Sequence, residues 1–170
     1  MIKLLMRRGR RWKQVISASL WICLSLSMAV AQAADLIGIP EIIDVDTLRL
    51  GATRVRLHGI DAPEGRQLCL TTDRKSYRCG DFATDALKQI VGAKSIRCTQ
   101  IDTDRFHRVV AKCFIGRMDV SEEMVRRGWA VAFRRYSWDY AAAEKAAQKA
   151  GRGLWSGQFV TPEEWRKSAR

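Results

Sequence analysis

Four short clusters in this 170-residue chain carry side chains able to do chemistry together. Asp44-Val45-Asp46-Thr47 sets two carboxylates between apolar runs, and Arg56 follows on the polar side of the next run. That run leads into Ile60-Asp61-Ala62-Pro63-Glu64, which adds two acids, and Arg108 closes the polar turn that begins at Asp102. Three carboxylates on adjoining strand ends suit a hard cation, because calcium takes about six to eight oxygen ligands, chiefly carboxylates and carbonyls. Asp46 and Asp61 are the expected ligands. Two arginines nearby suit a phosphodiester, since a guanidinium fork donates paired bonds to phosphate oxygens and opposes the charge that builds there. Glu64 is then free to orient or deprotonate a water, which completes the parts of a metal-assisted phosphodiester hydrolysis.

Each cluster has an ordinary reading when taken singly. Asp-x-Asp-Thr is often a turn in which the side chains bond their own backbone, and a lone Arg on a wet strand is usually a solvated charge. Neither Asp44-x-Asp46 nor Asp102-x-Asp104 opens an EF-hand, because the loop's glycine position holds Arg49 or His107 and its final Glu position holds Val55 or Cys113. His58 and His107 read as strand and turn residues.

The elements that must position these groups follow from periodicity. Leu36 to Ile43, Thr47 to Leu50 and Arg54 to Ile60 are β-branched or Leu-rich runs separated by turn residues, and are predicted strands. Residues 65 to 79 carry few large apolar side chains and are predicted to form a long loop that Cys69 and Cys79 could pin. From Asp81 the period becomes helical through Phe82, Ala83, Ala86, Leu87, Ile90 and Val91, and Gly92 stops it. Ser95 to Ile101 and Val109 to Ile115 are two further strands. Ser121 is the expected N-cap of a second helix, a third runs from about Ser137 to Ala150, and Thr161-Pro162-Glu163-Glu164 has the cap, proline and acid of a last helical turn. Five strands with one helix after the third and two more at the end predict a small α+β domain, mainly a β barrel of the oligonucleotide-binding (OB-fold) type.

Residues 1 to 33 have the grammar of a secretory signal: a basic start, an apolar run from Val15 to Val30, and the small-x-small step Ala31-Gln32-Ala33. The expected domain is therefore 34 to 170. Six of the 30 basic residues fall in the signal, so the net charge of +12 drops to +6 for the domain. With 47% apolar residues the chain is neither a disordered tail nor a coiled coil. Beyond the signal four cysteines remain, an even number suited to an oxidising compartment. No Cys-x-x-Cys occurs, which disfavours zinc. Two disulfides are expected, and strand pairing favours Cys69 with Cys79 and Cys98 with Cys113 among the three connectivities open to four cysteines.

In order and in strand context, the clusters resemble the staphylococcal nuclease family. The resemblance is carried by Ile42 to Leu50, Val55 to Glu64, Asp104 to Ala111, Met124 to Ala130 and Arg152 to Ser156. It implies a five-stranded OB-type barrel with three helices and a calcium-dependent endonuclease acting on DNA and RNA, leaving 3′-phosphates. On this resemblance Asp46, Asp61 and the Ala62 carbonyl would hold Ca2+, with Asp44 just outside. Glu64 would be the catalytic carboxylate, Arg56 and Arg108 would grip the phosphate, and Arg105, Arg134 and Tyr136 would contact substrate. Val45 and His107 stand where the family often has Gly, Ala62 where the founding member has Thr, Phe106 where Tyr is common, and Arg134 where a second pocket Tyr is expected. These departures bear on substrate preference more than on catalysis. A secreted or periplasmic monomer without lasting membrane association is expected, with nucleic acid as partner. A catalytically silent single-strand binding module using Arg134, Arg135, Tyr136 and Trp138 is the alternative, ahead of an envelope interaction domain with its tryptophans as interface.

Overall fold

The computed structural model describes residues 35–168; the expected signal segment lies outside them. The first predicted run is split at Ile39-Pro40 into β1 (Leu36–Gly38) and β2 (Glu41–Asp44), followed by β3 (Thr47–Leu50), β4 (Thr53–Leu57) and the short β5 (Ile60–Asp61). Next come β6 (Leu68–Leu70), β7 (Ser76–Arg78), α1 (Cys79–Val91), β8 (Ile96–Thr103), β9 (Val109–Ile115) and β10 (Met118–Asp119). The chain ends with α2 (Val120–Arg126), β11 (Val131–Ala132), α3 (Ala141–Lys149), a 3-10 turn (Gly153–Ser156) and α4 (Pro162–Ser168).

The main sheet runs β1-β8-β9-β4-β3-β2, with β10 added to β9. Its two outer members are consecutive pieces of one chain segment, so the row curls into an OB-like barrel. All neighbours are antiparallel except β4 and β9, whose parallel register pairs Val55 with Val109 and Arg56 with Val110. Strand alternation turns Leu48, Leu50, Val55, Leu57, Ile96, Cys98, Ala111 and Cys113 inward. Ala83, Leu87, Ile90 and Val91 of α1 and Val120, Met124 and Val125 of α2 close the core. The disulfides are Cys69–Cys79 and Cys98–Cys113, as the strand pairing predicts.

Four expectations need correction. Residues 65 to 79 are more than a loop, since β6 and β7 form a hairpin with Cys69 opposite Tyr77. The N-cap of α2 is Asp119, not Ser121: its extended backbone lets the carboxylate accept from the amides of Ser121 at 2.9 Å and Glu122 at 3.2 Å. The third helix starts at Ala141, because the Ser137 hydroxyl accepts the Asp139 amide at 3.1 Å and holds a turn there instead. The run Arg54 to Ile60 also breaks, at Gly59 with φ +72°. A Cβ on Gly59 would meet the Tyr140 ring at 2.8 Å. Past that break β5 leaves the main sheet and pairs with β11, Asp61 opposite Val131.

Candidate active site

The turn between β2 and β3 delivers the first carboxylate. Asp44 is exposed and its Oδ1 accepts the Val45 amide at 2.8 Å, while Val45 packs into the core. Asp46 is buried, and its carbonyl accepts the Leu57 amide at 2.9 Å, which ties the turn to β4. Register places Arg56 opposite Thr47. From there Arg56 Nη1 reaches Asp46 Oδ2 at 2.7 Å, and its Nη2 lies 3.9 Å from Asp61 Oδ1. One guanidinium thus joins the two acids expected to hold a metal.

Arg108 enters the same rim one residue before β9. Asp104 builds its turn, accepting the backbone amides of Phe106 at 2.9 Å and Arg108 at 3.0 Å. It also takes Arg108 Nε and Nη2 at 2.7 Å each. Burial pushes the Asp104 carboxyl up, but the hydrogen bonds from Arg108 and Phe106 outweigh it and hold it below the usual carboxylate range. The remaining arm, Nη1, donates to Thr47 Oγ1 at 3.1 Å, and Thr47 in turn donates to Asp46 Oδ1 at 3.0 Å. Arg56 and Arg108 therefore converge on one carboxylate and its neighbour. His107 sits in this turn with φ +60°, the left-handed region that favours glycine.

The second half is built differently. Asp61, 1% exposed, ends β5 and is followed by buried Ala62. Glu64 lies on the loop beyond, whose amide reaches Gln67 Oε1 at 3.3 Å and whose carbonyl accepts the Gln67 amide at 2.8 Å. Gln67 is fully buried and donates through Nε2 to the Val160 carbonyl at 2.7 Å. Gly80 opens α1 against this loop, so close that a Cβ there would fall 2.2 Å from the Glu64 carbonyl oxygen. Arg166, from α4, then bridges both acids: Nη1 lies 2.9 Å from Asp61 Oδ1 and 2.9 Å from Glu64 Oε1, and Nη2 lies 2.9 Å from Asp61 Oδ2. Burial drives the Asp61 carboxyl up, the Arg166 bonds oppose this, the charge of Asp46 adds to it, and the net shift is upward.

A cleft beside Asp61 is lined by Phe133, Arg134, Arg135, Thr161 and Glu163. Arg134 pairs with buried Glu144, which also accepts the Ala132 amide at 3.0 Å, and its guanidinium lies 5.6 Å from the Trp138 ring centre. Tyr136 is exposed and packs edge-on against Phe133 at 4.9 Å. Arg105 lies over exposed Phe106 at 4.8 Å. The structure thus brings Asp46, Asp61, Glu64, Arg56 and Arg108 together, with Arg134 lining the adjoining cleft and Tyr136 outside it, against Phe133. Sequence reasoning named Thr47 in its first cluster without a role of its own, and missed Gln67, Gly80, Asp104 and Arg166 as parts of this site. Only Asp104 carried a signal, as an acid four residues before Arg108 in a tight turn.

Among the described residues no three carboxylate, thiol or imidazole side chains form a closed metal cluster. Asp46 and Asp61 nevertheless suit a hard cation: both are oxygen donors, both are buried, and both face the same guanidinium. Such a cation would need further oxygens from backbone or water.

A small OB-like barrel bearing paired acids and arginines at one rim is the class that the fold and the site define. Residues 54–157 match the family described as staphylococcal nuclease homologue, and the chain belongs to that family. It is 35% identical over 129 residues to the succinoglycan biosynthesis protein ExoI of Rhizobium meliloti (strain 1021), covering 74% of this chain and 68% of that one. An uncharacterized endonuclease of Haemophilus influenzae is 28% identical over 166 residues, 93% of this chain and 88% of the relative. An uncharacterized endonuclease of Escherichia coli is 32% identical over 142 residues, 78% and 86%.

Proposed function

We propose that the chain is a calcium-dependent nuclease that hydrolyses phosphodiester bonds of DNA, RNA or both. The reading is carried by one observation, the junction of Asp46, Asp61 and Glu64 through guanidinium groups on a rim that also holds Arg108. Nucleases that relatives are named for, and membership of the family, support it. Asp46, Asp61 and the Ala62 carbonyl would hold Ca2+, which when bound supplies Lewis-acid stabilisation of a phosphoryl oxygen. Arg56 and Arg108 donate to the other phosphate oxygens and favour the crowded, more negative transition state. Glu64 takes a proton as water attacks phosphorus, the bond to the 5′ oxygen breaks, and that oxygen takes a proton from solvent water as it leaves, so the other product ends in a 3′-phosphate. Arg105, Arg134 and Tyr136 border the path of the chain and contact substrate.

Export is part of the same reading. Residues 1 to 33 act as a removed signal, the two disulfides fit a secreted or periplasmic location, and the protein works as a monomer. Among the described residues no helix is long and apolar enough to cross a membrane. The test is cleavage of single-stranded DNA and of RNA by residues 34 to 170, with calcium and with excess chelator. Calcium-dependent fragments ending in 3′-phosphate are expected. A folded, oxidised protein that binds DNA and never cuts it would replace the nuclease with the binding module, which exposed Tyr136 and Trp138 beside Arg134 favour.

A further inference from the structure

Arg166 makes three charge-assisted hydrogen bonds of 2.9 Å to the acid expected to hold the metal and the acid expected to activate water. Its fork engages both oxygens of Asp61. That carboxylate is 1% exposed, and a buried charge requires a partner. Arg56 cannot be the whole answer, being committed to Asp46 at 2.7 Å and standing 3.9 Å from Asp61. Arg166 therefore supplies the positive charge that a divalent cation would also supply. The two compete for the same oxygens and repel each other at contact distance.

The helix that carries Arg166 is fastened by little else. Within α4 only Pro162 is buried, Glu163, Trp165 and Arg166 are half-buried, and none of its residues is a member of either apolar cluster. A Thr161–Glu164 capping box holds its first turn, with the Thr161 hydroxyl donating to Glu164 Oε2 at 2.7 Å. Lys167 pairs within the helix to Glu163 at 3.0 Å, and Arg135 reaches Glu163 at 3.6 Å. Exposed ion pairs hold weakly, so the segment can open without disturbing the barrel.

We propose that α4 is an autoinhibitory strap: Arg166 holds the Asp61–Glu64 carboxylates and is displaced when calcium binds. The strap rests on the calcium-dependent reading above and adds a threshold to it, because calcium must outcompete a tethered guanidinium before Glu64 is released.

The test is calcium binding by calorimetry to the full, oxidised chain, as wild type, Arg166→Gln and Arg166→Lys. The Gln variant should bind calcium about tenfold more tightly, with Lys between it and wild type. Amide exchange over residues 162–168 of the wild type should accelerate on calcium addition. Because this second measurement needs no variant, it stands even if removal of Arg166 impairs folding. A wild type that binds calcium with the Gln variant no tighter, or with 162–168 becoming protected, overturns the strap and leaves the nuclease reading intact. Absence of calcium binding in all three proteins overturns the calcium reading and the strap with it.

Discussion

The two halves of the rim are held by different means. Thr47 and Arg56 belong to neighbouring strands and Asp46 to the turn that enters the first of them, so their relative positions follow from the β3–β4 register that pairs Thr47 with Arg56. Glu64 belongs to no strand; it is placed by Gln67, by the close approach of Gly80, and by a hairpin stapled through Cys69–Cys79. Sheet register fixes the charges that would bind, whereas long-range loop contacts fix the group that would take the proton. Damage to the first half should therefore appear as lost binding and stability. Damage to the second should appear as lost turnover.

The sharpest separation is Glu64→Gln. With 33% of its side chain exposed, Glu64 can lose its charge without leaving a deeply buried acid unpaired. Turnover should fall about 10²- to 10⁴-fold while nucleotide binding and thermal midpoint barely change. A variant with undiminished kcat would remove Glu64 from the chemistry.

Gly80→Ala tests the same half from outside. The new methyl would lie 2.2 Å from the Glu64 carbonyl oxygen and 2.8 Å from the Gly65 Cα, both backbone atoms, so the loop must move. A displacement near 1 Å of a positioned group costs about a hundredfold in kcat, with about 1–3 kcal/mol of stability lost to overpacking. Equal kcat in the two proteins, measured against a urea titration, would show that the Glu64 loop need not be held there.

The disulfides give the next, smaller contrast. Cys98 and Cys113 face each other on β8 and β9 inside the barrel, while Cys69 and Cys79 join the hairpin to the start of α1. Paired Cys→Ser replacement at either should cost about 3 kcal/mol by loop closure. Only the Cys69–Cys79 replacement should lower kcat measured well below the melting temperature. Equal losses of kcat would break the distinction between the halves.

The same division governs what was legible in the sequence. Period-two runs announced β3, β8 and β9, and a helical period stopped by Gly92 announced α1, because burial of one face is written locally. The carboxylates and Arg56 were legible because they stand on or beside those runs. Gln67 and Arg166 were not, since a buried amide 93 residues from its acceptor at Val160, and an arginine 105 residues from Asp61, have no local pattern. Competing caps blurred the helix starts: Asp119 and Ser121 are both good N-caps, and only the extended backbone at Asp119 decides between them. The break at Gly59 followed from packing against Tyr140, which no local rule announces.

The smallest effect belongs to Asp104, on the strand-held half. Asn in its place keeps an oxygen that can accept the Phe106 and Arg108 amides, so the turn survives, but it loses the charge that pins Arg108. With only 16% and 18% of the two side chains accessible the charge is partly shielded from water, so stability should fall by about 1–2 kcal/mol. Freed from its partner, Arg108 gains mobility, and KM should change by a few fold with kcat nearly constant. The sign of the pH dependence follows from the lowered Asp104 pKa. Its contribution is fully present above the ordinary carboxylate range and disappears as pH falls through the folded value, where Asp104 takes up a proton. The stability gap between wild type and Asp104→Asn should therefore be open at neutral pH and close in acid. A gap independent of pH would mean that Asp104 holds Arg108 by geometry alone, and that the strand-held half owes its order to register without help from charge.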